Sequence, residues 1–176
     1  SLLMGERVAL NFLQRLSGTA TLTRRFVDSI PEGSTTKIVD TRKTTPGMRY
    51  FERRAVLHGG GCNHRVDLSG GILIKENHIA AAGGLTAAFR AAQALKAPVA
   101  FIQVEVETLR QLQEALDAGV TMVLLDNMDL PTLREAVRMA QGRCSLEISG
   151  GVTLQGLREL AETGVDRISV GALIKD

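Results

Sequence analysis

The feature that most constrains this chain is a rhythm. From Glu105 to Asp126 is 21 positions, from there to Ser149 is 23, and on to Gly171 is 22. Each of these residues stands where a short apolar run gives way to polar, turn-forming residues. The runs are Lys37–Asp40, Ile72–Lys75, Val99–Glu107, Met122–Asp126, Ser145–Ser149 and Arg167–Val170. Amphipathic stretches of helical length fall between them, at Leu85–Leu95, Leu109–Ala118, Leu130–Ala140 and Leu154–Glu162. A period near this length is one βα unit. Repeated βα units give a parallel sheet with helices outside, because each crossover is right-handed.

An open doubly wound sheet and a closed barrel share that rhythm. The runs Gln103–Glu107 and Leu146–Ser149 alternate polar with apolar. Strands covered by helices on both faces tend to be apolar throughout, so the alternation favours a barrel with polar residues inside the mouth. Val104, Val106, Leu146 and Ile148 then face the helices. Six runs rather than eight predict a TIM-like (β/α) barrel that is open or incomplete. One or two N-terminal helices precede it. Val8, Phe12, Leu13 and Leu16 recur at helical spacing, Gly18 is a plausible stop, and a second piece covers Leu22–Ser29. This divides the chain into a helical lead, residues 1–30, and a barrel, residues 31–176.

Composition closes off other classes. Two cysteines, Cys62 and Cys144, are too few for a disulfide scaffold and make a reducing, cytoplasmic setting the default. Cys62 reads as a small apolar filler. No apolar run approaches the roughly 20 residues of a membrane helix. A net charge of +2 and 3% aromatics give neither the basic field nor the stacking platforms of a nucleic-acid binder.

In such a barrel the chemistry gathers at the C-terminal strand ends. Those positions carry Thr41, Arg42, Lys43, Lys75, Glu105, Asp126, Ser149, Gly150, Gly151 and Gly171, and the segment Gly59–Arg65 adds His64 and Arg65. Cations thus outnumber acids on one rim, and two glycine turns follow the last two strands, where barrels commonly hold a phosphate. His78 fits either a turn hydrogen bond or the rim.

A family likeness follows from the strings themselves. GERVALN at Gly5–Asn11, DTRKTTPG at Asp40–Gly47, GGGCNHR at Gly59–Arg65 and LIKENHI at Leu73–Ile79 stand in order. VEVE at Val104–Glu107, LLDN at Leu124–Asn127, SGGVT at Ser149–Thr153 and TGVDRISVGAL at Thr163–Leu173 complete the series. The chain resembles the quinolinate phosphoribosyltransferases, also called nicotinate-nucleotide pyrophosphorylases (carboxylating), without their N-terminal domain and C-terminal tail. The resemblance implies transfer of phosphoribose from phosphoribosyl pyrophosphate to quinolinate with decarboxylation, in NAD biosynthesis, with Mg²⁺.

It also implies roles. Arg42, His64, Arg65 and Lys75 resemble the clamp on dicarboxylate and phosphate, with Lys43 in contact with both substrates. Thr41 stands among them. Glu105 and Asp126 resemble the acids near the ribose and the metal, held directly or through water. Ser149, Gly150, Gly151 and Gly171 resemble the 5′-phosphate cradle. Arg7 resembles a residue inserted into a neighbouring subunit's site, so a homodimer or larger assembly is implied. The family usually has an acid where Gly70 stands and Thr where Ile174 stands. Two alternatives remain at this stage: a binding or dimerisation core without turnover, and a related pyridine phosphoribosyltransferase.

Overall fold

Alternating β-branched and polar residues followed by capped amphipathic stretches produce the expected units. In the computed structural model, which describes residues 2–96 and 98–175, a long helix α1 (Leu2–Asp28) leads into β1 (Lys37–Val39) and α2 (Arg49–His58). Then come β2 (Ile72–Ile74), α3 (Glu76–Ala82), α4 (Leu85–Gln93), β3 (Ile102–Val106), α5 (Leu109–Asp117) and β4 (Met122–Asp126). The chain continues through α6 (Leu130–Ala140), β5 (Ser145–Ser149), α7 (Leu157–Ala161), β6 (Arg167–Ser169) and α8 (Ala172–Lys175). Local chemistry starts the helices where turn residues stand. Thr108 accepts the Gln111 amide at 3.2 Å ahead of α5, and Asp129 accepts the Thr132 amide at 2.9 Å ahead of α6.

The six strands are all parallel, in the order β1-β6-β5-β4-β3-β2. A single bridge from Val39 to Cys62 adds one more strand position beyond β1. The sheet curls, so its two ends approach one another. Arg65, just past that bridge, donates from its guanidinium to the Gly71 carbonyl ahead of β2, and the His64 ring meets Phe101 edge-on at 5.6 Å. The seam between the ends is therefore spanned by side chains, not by a ladder. The architecture is an open α/β barrel.

Val104, Val106, Leu146 and Ile148 face outward into the apolar core beneath the helices, as the alternation predicts. Each fully buried Leu or Val there is worth roughly 1.5–3 kcal/mol. Gln103 and Glu147, on the same strands, turn inward and are also buried.

The N-terminal lead differs from expectation. Helix α1 runs unbroken through Gly18. A mid-helix glycine costs only about 1 kcal/mol relative to alanine, and the buried Thr19, Thr23 and Phe26 anchor the helix beyond it. The triple glycine explains the docking. A Cβ on Gly59 would stand 2.4 Å from the Ala20 carbonyl oxygen, and one on Gly61 would stand 2.8 Å from Thr23. These glycines serve packing of α1, not the rim. Helices α2, α3 and α8 were not expected, and α7 is shorter than the run Leu154–Glu162. None of the helices among the described residues is long and apolar enough to cross a membrane.

Candidate active site

The strand ends converge on one cavity of about 350 Å³, lined by Thr41, Arg42, Lys43, His64, Arg65, Lys75, Glu105 and Ser149 among the residues expected from sequence. Asp40, Leu73, Leu124, Glu147 and Ser169 complete its wall. A second cavity of about 260 Å³ holds Gly150, Gly151 and Gly171, and shares Thr41, Lys43, Ser149 and Ser169 with the first. The two are therefore one continuous cleft. Asp126 ends β4 beside it, in register with Ser149, its carboxylate accepting from the Asn127 side chain at 3.0 Å. It lines neither cavity. Arg7 is exposed on α1 and also lines neither.

The cations sit on irregular backbone that buried acids hold. Asp40, the residue after β1, is fully buried and accepts the His64 amide at 2.7 Å, with the Arg53 guanidinium 3.6 Å away. Burial pushes the Asp40 carboxyl up to about 6, against the opposing pull of the His64 amide and the Arg53 charge. The loop carrying Arg42 and Lys43 is tied at its far end by Glu52 of α2, which is fully buried and accepts the Thr45 amide at 2.9 Å. Arg15 of α1 stands 3.5 Å from Glu52 and donates to the Ile174 carbonyl at 2.9 Å.

Arg65 has the Arg42 guanidinium as a charged neighbour. Burial and that charge lower the affinity of Arg65 for its proton, against the opposing pull of Asp67, which also feels Arg42. The Arg42 Nε is buried and has no protein acceptor among the described residues. A buried donor without a partner costs about 1–3 kcal/mol, so such a pair is arranged for an anion that brings its own acceptors. Across the cleft Lys75 pairs with the largely buried Glu105 at 3.0 Å. That pairing holds with Gly70 at the departure site, and in the same turn Asp67 accepts the Gly70 amide at 3.1 Å. Ile174, the other departure, is buried in the core.

The glycine turn is constrained by sterics. Gly150 has φ +90°, and a Cβ there would stand 2.2 Å from the Asn127 side-chain oxygen. Gly151 has φ +59° with open space around it. Only glycine brings bare backbone to this wall without strain.

His78 lies off the cavity in the first turn of α3, where its Nδ1 accepts the Lys75 amide at 2.9 Å and caps the helix. Sequence reasoning passed over Asp40, Gln103, Glu147 and Ser169. Their signal was present as polar residues at inward positions of otherwise apolar strands. Among the described residues no three His, Cys, Asp or Glu side chains cluster as a metal site.

The class the fold and site define is an open parallel α/β barrel whose mouth gathers Arg42, Lys43, Arg65 and Lys75 at the C-terminal strand ends, the position where such barrels bind phosphate. Residues 19–176 match the family model described as quinolinate phosphoribosyl transferase, C-terminal domain. The chain is 46% identical to the probable nicotinate-nucleotide pyrophosphorylase (carboxylating) of Bacillus subtilis, covering 98% of this chain and 60% of that protein. It is 47% identical to the protein of the same description from Synechocystis, covering 99% and 60%. The crystal structure of NadC from Streptococcus pyogenes superposes with a TM-score of 0.93 at 43% identity, covering 98% and 60%. The chain belongs to the quinolinate phosphoribosyltransferase family, in its C-terminal domain. It spans about 60% of the length of these relatives.

Proposed function

We propose that this chain carries the reaction centre of a carboxylating nicotinate-nucleotide pyrophosphorylase, transferring phosphoribose from phosphoribosyl pyrophosphate to quinolinate. The observation that carries this reading is the cleft itself. Arg42, Lys43, Arg65 and Lys75 share one cavity, which runs on into a pocket walled by Gly150, Gly151 and Gly171. Quinolinate brings two carboxylates, which guanidinium groups bind bidentately. The other substrate brings a 5′-phosphate, which the bare backbone of the glycine pocket would receive, and a pyrophosphate.

The pyridine nitrogen attacks the anomeric carbon, the bond from that carbon to the pyrophosphate oxygen breaks, and pyrophosphate leaves with the electron pair. The 2-carboxylate then leaves as CO₂, its bonding pair staying on the ring carbon, which takes up a proton. Positive charge develops on the ribose as pyrophosphate departs, and Glu105 and Asp126 stand at adjacent strand ends to offset it. Glu105 and Asp126 would hold Mg²⁺, directly or through water, since that ion is commonly bound by one or two acids plus substrate phosphates. When bound, the ion would neutralise charge on the leaving pyrophosphate.

Arg7 lies on the exposed stretch of α1 with Leu2, Leu3 and Leu13, which are 92%, 79% and 62% exposed. That exposed apolar face leaves room for a second copy, and the family resemblance puts Arg7 in a neighbouring subunit's site, so a homodimer or larger assembly belongs to the same reading. Cys62 and Cys144 are both free, which fits a reducing compartment such as the cytoplasm.

The test is incubation with phosphoribosyl pyrophosphate, Mg²⁺ and quinolinate labelled at the 2-carboxylate. The expected outcome is labelled CO₂ in step with nicotinate mononucleotide. Substrate binding by calorimetry without turnover would identify an inert core. Transfer to nicotinate without CO₂ would identify a related pyridine enzyme.

A further inference from the structure

Beneath the cleft lies a carboxylate that the proposed reaction does not use. Glu147 is 1% exposed, yet it forms part of the wall of a cavity that gathers anions. An anion there opposes the binding of anionic substrates, so its presence needs a reason. Its contacts supply one. Ser169 donates to one oxygen, Gln103 donates to the other at 3.0 Å, and the His64 Nε2 stands 3.3 Å from that same oxygen. Burial works to raise the Glu147 carboxyl, but the His64 contact and the Ser169 and Gln103 hydrogen bonds outweigh it and leave the group below its ordinary range.

The other nitrogen of the ring is also engaged. His64 Nδ1 accepts the backbone amide of Arg65 at 2.8 Å. A ring nitrogen accepts only when it carries no proton, so the proton resides on Nε2, facing Glu147. In the other tautomer Nδ1–H would oppose the Arg65 N–H, donor against donor. Glu147 selects against that tautomer because Nε2, stripped of its proton, would face a carboxylate.

We propose that Glu147 is a positioning residue: by holding His64 in the Nε2–H tautomer it fixes the Arg65 amide, and through it the guanidinium against which a dicarboxylate docks. This rests on the dicarboxylate reading above. Glu147 touches no substrate in this scheme; it acts from below through its 3.3 Å contact with His64 Nε2 and the hydrogen bond from the Arg65 amide to His64 Nδ1. The Arg65 guanidinium, which also reaches the Gly71 carbonyl across the barrel seam, has little freedom once its amide is set.

The alternative, a purely electrostatic effect of a buried charge, predicts the opposite sign. Glu147→Met fills similar space without an acceptor, whereas Glu147→Gln keeps an acceptor and removes the charge. Calorimetry with quinolinate and with phosphoribosyl pyrophosphate, beside ¹⁵N shifts of the His64 ring, distinguishes them. Positioning predicts that Glu147→Met binds quinolinate about tenfold or more weakly, the scale of one buried hydrogen bond left unmade. It leaves phosphoribosyl pyrophosphate within a few-fold and shifts His64 away from the Nε2–H signature. Glu147→Gln should retain both the signature and the affinity. Tighter quinolinate binding in both variants, or a His64 signature unmoved in Glu147→Met, overturns the proposal. Should Glu147→Met not fold, a Glu147→Gln variant that tightens binding or loses the signature overturns it, and one that retains both supports it. A wild-type chain that takes up no quinolinate overturns the substrate reading instead, and the ring signature then decides the His64–Glu147 link by itself.

Discussion

Two arcs of the barrel wall are built differently. Along residues 102–151 the strands β3, β4 and β5 are five residues long, and β4 pairs with β5 over five positions. Along residues 37–75 the strands are three residues long, and one position is a single bridge. The regular arc contributes acids and small residues: Glu105, Asp126, Glu147, Ser149 and the glycines. The irregular arc contributes Arg42, Lys43, His64, Arg65 and Lys75. The difference teaches where each kind of group can be placed. Glu105 and Glu147 sit on this ladder and line the cleft, while Asp126 ends its strand beside it. Long cations come from loops and strand ends that buried Asp40 and Glu52 tether by their backbone amides.

The division has a kinetic consequence, and it is the largest effect expected. Glu105→Ala should lower turnover by about 10²–10³, the scale of losing one group that offsets transition-state charge, while substrate affinity changes little. Asp126→Ala should follow the same pattern. Steady-state kinetics beside calorimetry check this. Near-normal turnover in either variant would break the assignment of reaction chemistry to the regular arc.

A second effect belongs to the irregular arc. The folded chain holds the Asp40 proton up to about 6, above the ordinary 3.8. A raised carboxyl contributes stability that is complete below the lower value and is lost as pH rises through the upper one. The span corresponds to about 3 kcal/mol at 1.36 kcal/mol per unit. Urea unfolding of wild type and Asp40→Asn across pH 4 to 7 should show that slope only in the wild type. Glu147, lowered instead, acts with the opposite sign and cancels in the difference between the two proteins. Parallel slopes would show that Asp40 is not the tether's titrating group.

The smallest expected effect lies outside both arcs. A Cβ at Gly18 meets nothing within 4 Å, so Gly18→Ala should stabilise α1 by about 1 kcal/mol. A rise in thermal midpoint with unchanged turnover is the expected result. A fall would mean that α1 needs its glycine for a contact with another chain.

Much of the regular arc was legible because its signals are local. Met122–Asp126 and Ser145–Ser149 appear as strands at the bounds read from sequence, since alternation and turn residues mark both ends. Helix Leu130–Ala140 appears likewise. Helix α2 was not legible: its sequence interleaves Arg49, Arg53 and Arg54 with Tyr50 and Phe51, and its buried residues include Glu52 and Arg53, so periodicity gives no apolar stripe. Gly18 misled because glycine ends helices only where a left-handed turn follows. The site was legible as a set of strand-end residues, yet Glu147 and Gln103 were read only as inward-facing.

The sequence by itself determined the parallel βα order, the rim and its surplus of cations, because periodicity and strand-end chemistry are written in neighbouring residues. Tertiary structure alone decided that side chains rather than a ladder span the seam of the open barrel, that the Arg42 Nε is buried with no protein acceptor among the described residues, and that Asp126 and Arg7 line neither cavity. Those outcomes depend on how distant strands curl toward one another, and on buried acids whose partners lie many residues away. Spacing along the chain carries no trace of either.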